Sequence, residues 1–199
     1  GKLGVYKHAW PLLKQYNMTA SLNLIGEEID KATQRPEDRA SQAAPYCTWQ
    51  ELQQMSDSGA IELTSHTYYR HRYANNGHKG ADIANGESVE AFYTLCQKDA
   101  TKMRQTLHSI TGQQAVCMAY PYSARSRASD WVWLQCGYRI LLAGSGSDAR
   151  QAQQNFYVDG AGVNTRSAVT RRLVRYTGVP LSSYVAAAIA HDTPQEEQP

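Results

Sequence analysis

Short apolar segments alternate with amphipathic helices through the first 143 residues, and this alternation restricts the possible folds more than any other feature. The apolar segments predict strands over residues 19–25, 60–64, 115–120 and 138–143. Strands that are repeatedly separated by helices indicate an α/β layer or barrel with a mostly parallel sheet. Functional side chains in such folds lie where strands end, so the residues after 64 and 120 are the first to inspect.

Local capping signals set the helix boundaries. Thr48 with Glu51 three residues later forms a capping-box pattern, which predicts a helix to about Ser58 that Gly59 ends. Ser88 is the predicted cap of a long helix that reaches about Ile110. Further helices are predicted over residues 5–16 and 129–136, whereas residues 27–45 and 65–86 lack periodicity and are predicted to be irregular.

The C-terminal quarter shows weaker patterns. We predict a loop over residues 144–154, strands over 155–158 and 173–176, and a helix from Ser182 to about Ala190. Residues 1–192 are then expected to form one domain, followed by a polar tail over residues 193–199.

Composition excludes several classes of function. The net charge of +2 comes from 20 basic and 18 acidic residues, a balance that argues against a nucleic-acid or membrane-surface partner. No apolar run reaches the roughly 18 residues that a transmembrane helix needs. The four cysteines form no C-x-x-C pair, which argues against a zinc ribbon and leaves a single disulfide open. The chain begins without Met and shows no signal peptide.

Two histidines follow the strand at residues 60–64. His66 lies at the strand end and His71 five residues later in a polar loop. Imidazole is a common ligand of zinc and related metals, and two from one short segment are easily brought together. Two exposed histidines in a polar loop would show the same spacing, so the pattern alone leaves both interpretations open. His78 is a further candidate in this loop.

The strand at residues 115–120 ends in the sequence Tyr120-Pro121-Tyr122. Proline fixes φ and stops the strand, so the next backbone N–H can point into a cleft. Such an N–H can stabilise an oxyanion in acyl transfer. An ordinary turn that ends a strand would have the same sequence.

Taken together, four segments resemble the polysaccharide deacetylase family. Residues 6–25 are similar to its first helix and strand, residues 49–67 to its helix–strand–histidine segment, residues 119–122 to its third motif, and residues 172–176 to a late strand. The five-residue histidine spacing resembles the branch that deacetylates poly-N-acetylglucosamine.

This resemblance implies a distorted (β/α) barrel of the polysaccharide deacetylase type, with its N-terminal strand missing from the chain. It implies metal-dependent hydrolysis of N-acetyl groups from an N-acetylglucosamine polysaccharide, such as a biofilm exopolysaccharide, in the periplasm or outside the cell. His66 and His71 would hold a divalent metal, with zinc the first choice and nickel, cobalt or iron as alternatives. The Tyr122 N–H would stabilise the oxyanion, and the Tyr120 and Tyr122 side chains would line the sugar groove. Beyond the polysaccharide, the resemblance identifies no partner, and any contact with secretion machinery stays unknown.

The chain also departs from the family pattern. The adjacent aspartates of the family, a metal ligand and the catalytic base, would precede Gly1, so we expect residues 1–199 alone to be catalytically deficient. Asp82 is a weak substitute, His191 is a poor general acid, and Met118-Ala119 stands where the third motif often has arginine. Two alternatives therefore stay open: an inactive carbohydrate-binding module, and a peptidoglycan or chitooligosaccharide deacetylase.

Overall fold

The computed structural model describes residues 1–73 and 77–144, together with the backbone of residues 169–172. Within these residues five strands form one parallel sheet in the order β1-β2-β3-β4-β5. The strands are β1 Ala20–Leu24, β2 Ile61–Ser65, β3 Cys117–Ala119, β4 Ile140–Gly144 and β5 Val169–Arg172. The parallel α/β class is as expected, and the described part of the sheet is open, consistent with a distorted barrel.

Helices connect β1 to β2, β2 to β3 and β3 to β4. A π-helical turn, Val5–Ala9, runs directly into α1, and 3₁₀ turns follow α2 and β3 at Pro36–Ser41 and Pro121–Ser123. The α-helices are α1 Trp10–Gln15, α2 Gly26–Gln34, α3 Trp49–Asp57, α4 Val89–Thr111 and α5 Arg127–Gln135. All strand carboxyl ends therefore point to one edge of the sheet, as the crossover helices require.

Local capping signals locate α3 and α4 correctly. Both halves of the capping box between Thr48 and Glu51 are formed, and α3 runs from the next residue. The Ser88 side chain accepts the N–H of Ala91 at the start of α4. Gly112 ends α4 with φ of 69°, a left-handed conformation that glycine adopts without strain.

Helix α2 contradicts the prediction that residues 27–45 are irregular. Its N-cap residue, Ile25, makes no side-chain capping bond. Instead, the N–H groups of Gly26 and Glu27 donate to the carbonyl oxygens of Thr67 and Tyr68. The helix start is thus satisfied by a distant loop, and no cap signal is present in the local sequence.

Smaller differences concern the later elements. Helix α5 begins at Arg127, two residues before the predicted start, because Ser126 forms its capping box with Ser129. Strand β5 was not predicted. The strand predicted at residues 173–176 lies outside the described residues. The same holds for the strand predicted over 155–158, the helix predicted over 182–190 and the tail. The predicted loop over residues 144–154 also falls outside, apart from Gly144, which ends β4.

The buried core consists of two clusters that α4 joins. Met103 and Leu107 near its end pack with residues of β1, β2, α2 and α3. Phe92 and Cys96 near its start pack with residues of β3, β4 and α5. Helix α4 therefore spans both core clusters, and its buried Asp99 reaches the loop that follows β2.

All four cysteines are buried free thiols, so the disulfide left open by the sequence is not formed. Among the helices of the described residues, none is both long and apolar enough to cross a membrane.

Candidate functional site

His66 is fixed at the carboxyl end of β2 by contacts with both neighbouring strands. Its backbone N–H donates to Leu24 at the end of β1, at 2.8 Å. Its ring Nδ1 lies 2.8 Å from the carbonyl oxygen of Ala119 at the end of β3. A carbonyl oxygen can only accept a hydrogen bond, so Nδ1 carries the proton and Nε2 of the neutral ring carries the lone pair. A metal ligated by this ring would therefore be bound through Nε2.

The fold brings His71 next to His66. The centroids of the two rings lie 4.9 Å apart, at an angle of 52°. Burial lowers the pKa of His71 below its ordinary value, and the neighbouring carboxylates of Glu28 and Glu27 offset part of this effect. Because only neutral imidazole can bind a metal, burial favours the form of His71 that a metal site needs.

The chain turns sharply between the two histidines. Thr67 adopts a positive φ of 69°, which is rare for a β-branched residue, and its side chain is buried. The next two backbone N–H groups, of Tyr68 and Tyr69, donate to the carboxylate of Asp99 on α4. The backbone between the two histidines is therefore hydrogen-bonded to a residue about thirty positions away in the sequence.

Helix α2 supports the same turn from the other side. The Tyr68 ring is fully buried, and its hydroxyl donates to Asp30 of α2 at 2.5 Å. Gly26, the first residue of α2, packs so closely against this ring that a Cβ atom there would overlap it. Glycine fits this position because a larger residue would force the Tyr68 ring or the helix start to move.

Tyr122 lies beside the histidine pair, on the turn after β3. Its backbone has φ of 57°, and Ser123 follows with φ of 55°. The N–H groups of Ser123 and Ala124 close this turn, whereas that of Tyr122 has no acceptor within the described residues. The Tyr122 ring is 42% exposed, lies 4.8 Å from the His71 ring between centroids, and meets the Tyr73 ring edge-on at 5.4 Å.

Tyr120 does not line a groove, contrary to the expectation from the sequence. Its side chain is 1% exposed and packs within the second core cluster. Its hydroxyl donates to Asp130 of α5 at 2.9 Å, and Asp130 also pairs with Arg125. Since a buried tyrosine hydroxyl needs a partner, this contact turns the ring inward and leaves no face for a sugar.

The other candidates of the loop lie apart from the pair. His78 contacts Arg70 and Glu87, and its ring stacks on Phe92. Asp82 accepts the Ser126 hydroxyl at 2.8 Å, next to Ala81, whose carbonyl accepts the indole N–H of Trp133. Residues 77–86 therefore pack onto α5, and Asp82 is held there by its own hydrogen bonds.

Two imidazoles fit a divalent metal as part of its ligand set. Their rings are adjacent, the Ala119 carbonyl fixes the proton of His66 on Nδ1, and burial lowers the pKa of His71, which favours its neutral form. Within residues 1–73 and 77–144, no group of three or more His, Cys, Asp or Glu side chains could hold a metal. Among the described residues, the two imidazoles therefore lie side by side without a third group of this kind.

Sequence reasoning missed the residues that support the pair, chiefly Asp99 and Gly26. Asp99 falls inside the long helix α4 and bonds to residues about thirty positions earlier, so no local pattern identifies it. Gly26 directly follows the strand predicted over residues 19–25, a place where close backbone approach is common, and this signal could have drawn attention to it.

Comparisons with known proteins agree with this architecture. The chain is similar to a de-N-acetylase from Aggregatibacter actinomycetemcomitans, with 20% identity and a TM-score of 0.71 over 94% of this chain and 71% of that one. It is similar to IcaB from Ammonifex degensii, with 20% identity and a TM-score of 0.66 over 96% and 70% of the two chains. It also resembles the BpsB deacetylase domain from Bordetella bronchiseptica, with 20% identity and a TM-score of 0.60 over 86% and 67%.

These structural matches establish the shared fold. A search of curated protein sequences finds no match. The model of the polysaccharide deacetylase family matches residues 1–141, well over half of the 199 residues, and the chain therefore belongs to the polysaccharide deacetylase family.

Proposed function

We propose that this protein hydrolyses N-acetyl groups from an N-acetylglucosamine polysaccharide in a metal-dependent reaction. The observation that carries the proposal is the pairing of His66 and His71, 4.9 Å apart between ring centroids, at the strand ends of a polysaccharide deacetylase fold. In parallel α/β folds this edge of the sheet is where active sites are built.

The two histidines would hold the metal, with zinc as the first choice. When bound, a divalent metal supplies Lewis acidity toward an acetamide carbonyl and an attacking water. His66 would ligate through Nε2, because its Nδ1–H is used by the Ala119 carbonyl. His71 would ligate in its neutral form, which burial favours.

Tyr122 would act through both its backbone and its ring. Its N–H, on a left-handed turn beside His71, is suited to donate to the oxyanion that forms when water attacks the acetamide. Its exposed ring, set against Tyr73, offers an apolar face on which a sugar can stack. We assign the stacking role to Tyr122 and no longer to Tyr120.

The five-residue histidine spacing, which resembles the poly-N-acetylglucosamine branch, supports a biofilm exopolysaccharide as the substrate. A polymer of that kind is handled outside the cytoplasm, so we place the protein in the periplasm or the extracellular space. The similarity in fold to a de-N-acetylase is compatible with this assignment.

The test is acetate release by the full-length protein from β-linked N-acetylglucosamine oligomers, measured with and without a chelator, whereas residues 1–199 alone are expected to be deficient. We expect the chelator to abolish turnover and added zinc to restore it. The variant His66→Ala should lose bound metal, whereas His108→Ala, which alters an exposed histidine of α4, should retain it. Turnover that the chelator leaves unchanged would contradict the mechanism, and turnover confined to peptidoglycan or to chitooligosaccharides would reassign the substrate.

A second candidate function is carbohydrate binding without catalysis. The exposed rings of Tyr122 and Tyr73 favour it, because sugar stacking needs neither a metal nor a base. Oligosaccharide binding that persists in the chelated wild type, combined with no acetate release at any metal concentration, would select this alternative.

A further inference from the structure

Asp99 is a buried carboxylate that serves the histidine loop. It lies on α4 and is 3% exposed. One carboxylate oxygen accepts the backbone N–H of Tyr68 and the other accepts that of Tyr69, each at 2.8 Å. Asp99 takes part in no ion pair within the residues that the structure describes. Two backbone N–H groups of one loop thus donate to this carboxylate.

A carboxylate without hydrogen-bond partners is costly to bury. Hydrogen bonds from N–H groups to a charged acceptor are stronger than neutral ones and fix both donors in direction. The burial of Asp99 is therefore explained by its two hydrogen bonds to the backbone between His66 and His71.

The backbone between His66 and His71 adopts a strained conformation that requires stabilisation. His66 is tied to β1 and β3, but the chain then passes through Thr67 at φ of 69°. A positive φ at a β-branched residue is strained and persists only where the surroundings impose it. The two N–H groups that donate to Asp99 directly follow Thr67. Their hydrogen bonds therefore oppose relaxation of the turn and fix the path of the backbone toward His71.

We propose that Asp99 is a positioning residue that sets the separation of His66 and His71, and through it the affinity of the pair for a divalent metal. This inference rests on the proposed function for its metal, whereas the separation of the rings can be measured without any metal. Asp99 touches neither the metal nor the substrate, and it acts through the backbone of Tyr68 and Tyr69.

The experiment compares two substitutions of Asp99 with a matched control on the same helix. Asp99→Ala removes both acceptors, and Asp99→Asn keeps one acceptor oxygen in nearly the same volume. The control is Leu107→Ala, which is expected to destabilise the core eight residues further along α4, about 12 Å from Asp99. Urea unfolding of each variant establishes that the protein is folded and how much stability is lost.

The first readout is metal-free. In the wild type and in Leu107→Ala, the adjacent rings of His66 and His71 should show nuclear Overhauser effects between their protons. In Asp99→Ala these effects should disappear, and in Asp99→Asn they should weaken. If Asp99→Ala does not fold, Asp99→Asn decides the result. Unchanged nuclear Overhauser effects between the two rings in a folded Asp99 variant would overturn the proposal.

The second readout is zinc affinity by calorimetric titration. Loss of a residue that orients metal ligands typically lowers affinity about 10–100-fold. We expect such a loss for Asp99→Ala, a smaller one for Asp99→Asn and no change for Leu107→Ala. Equal affinities for wild type and Asp99→Ala would refute the positioning role. If the wild type binds no zinc, the proposed function fails, and the metal-free readout still decides the role of Asp99.

Discussion

At the scale of single residues, the protonation of His71 makes stability depend on pH. Burial lowers its pKa, so the folded state takes up a proton at lower pH than the unfolded state, whose histidine has a pKa of about 6.5. The stabilising contribution of neutral His71 is therefore complete above this pH and is lost as pH falls through the unfolded pKa toward the folded one. An NMR titration of the His71 ring should give a midpoint below about 6.5.

The variant His71→Gln provides the control for this prediction. Glutamine does not titrate, so the difference in unfolding free energy between wild type and variant should shrink as the pH is lowered from 7 to 5. A difference that stays constant over this range, or a ring midpoint above 6.5, would contradict the assigned effect of burial.

Gly26 provides a second prediction at this scale. Replacement by alanine would place a Cβ atom inside the Tyr68 ring, so either the ring or the start of α2 must move. We expect Gly26→Ala to lower the free energy of unfolding by about 1–3 kcal/mol, the usual cost of overpacking, and to weaken zinc binding.

The matched control for Gly26→Ala is Gly4→Ala. Gly4 has φ of −59° and open space where a Cβ atom would lie, so its replacement should leave stability unchanged or slightly raised. Equal effects of the two substitutions in chemical denaturation would show that the contact with Tyr68 is not tight.

At the scale of secondary-structure elements, the capping box of α3 should make a measurable contribution to the free energy of unfolding. Thr48 accepts the N–H of Glu51, and the Glu51 carboxylate accepts the N–H of Thr48 at 2.7 Å and also pairs with Arg39. Thr48→Ala leaves the helix start without its side-chain acceptor and should cost about 1 kcal/mol. Gln53→Ala, at an exposed position inside α3, should be nearly neutral in the same urea titration, and a Thr48→Ala effect no larger than this would argue against the cap.

The contrast between α3 and α2 explains which elements the sequence could predict. Helix α3 begins with a side chain that caps it from within four residues, and its start was predicted correctly. Helix α2 begins at a residue with no capping side chain, and its first N–H groups are satisfied by carbonyls about forty residues later. The local sequence of α2 therefore looks irregular, although its buried face, formed by Ile29 and Ala32, is helical.

At the scale of the whole molecule, the four buried thiols report on global unfolding. Burial raises the pKa of Cys47 to about 11 and those of Cys117 and Cys136 to about 12, and it also raises that of Cys96. The thiolate is the form that attacks thiol reagents, so the native protein should react slowly at pH 8. In denaturant all four thiols should react at once, and one thiol that reacts rapidly in the native state would contradict the burial described for it.

The sequence alone determined whatever depends on contacts within about four residues: the strand–helix alternation, the limits of α3 and α4, and the placement of His66 at a strand end. Only the tertiary structure decided how the site is built. Tyr120 turns inward because Asp130 lies within reach on a helix of another segment, and the histidine turn is held by Asp99, about thirty residues away. Such bonds depend on which elements the fold brings side by side, and no local pattern of residues records that.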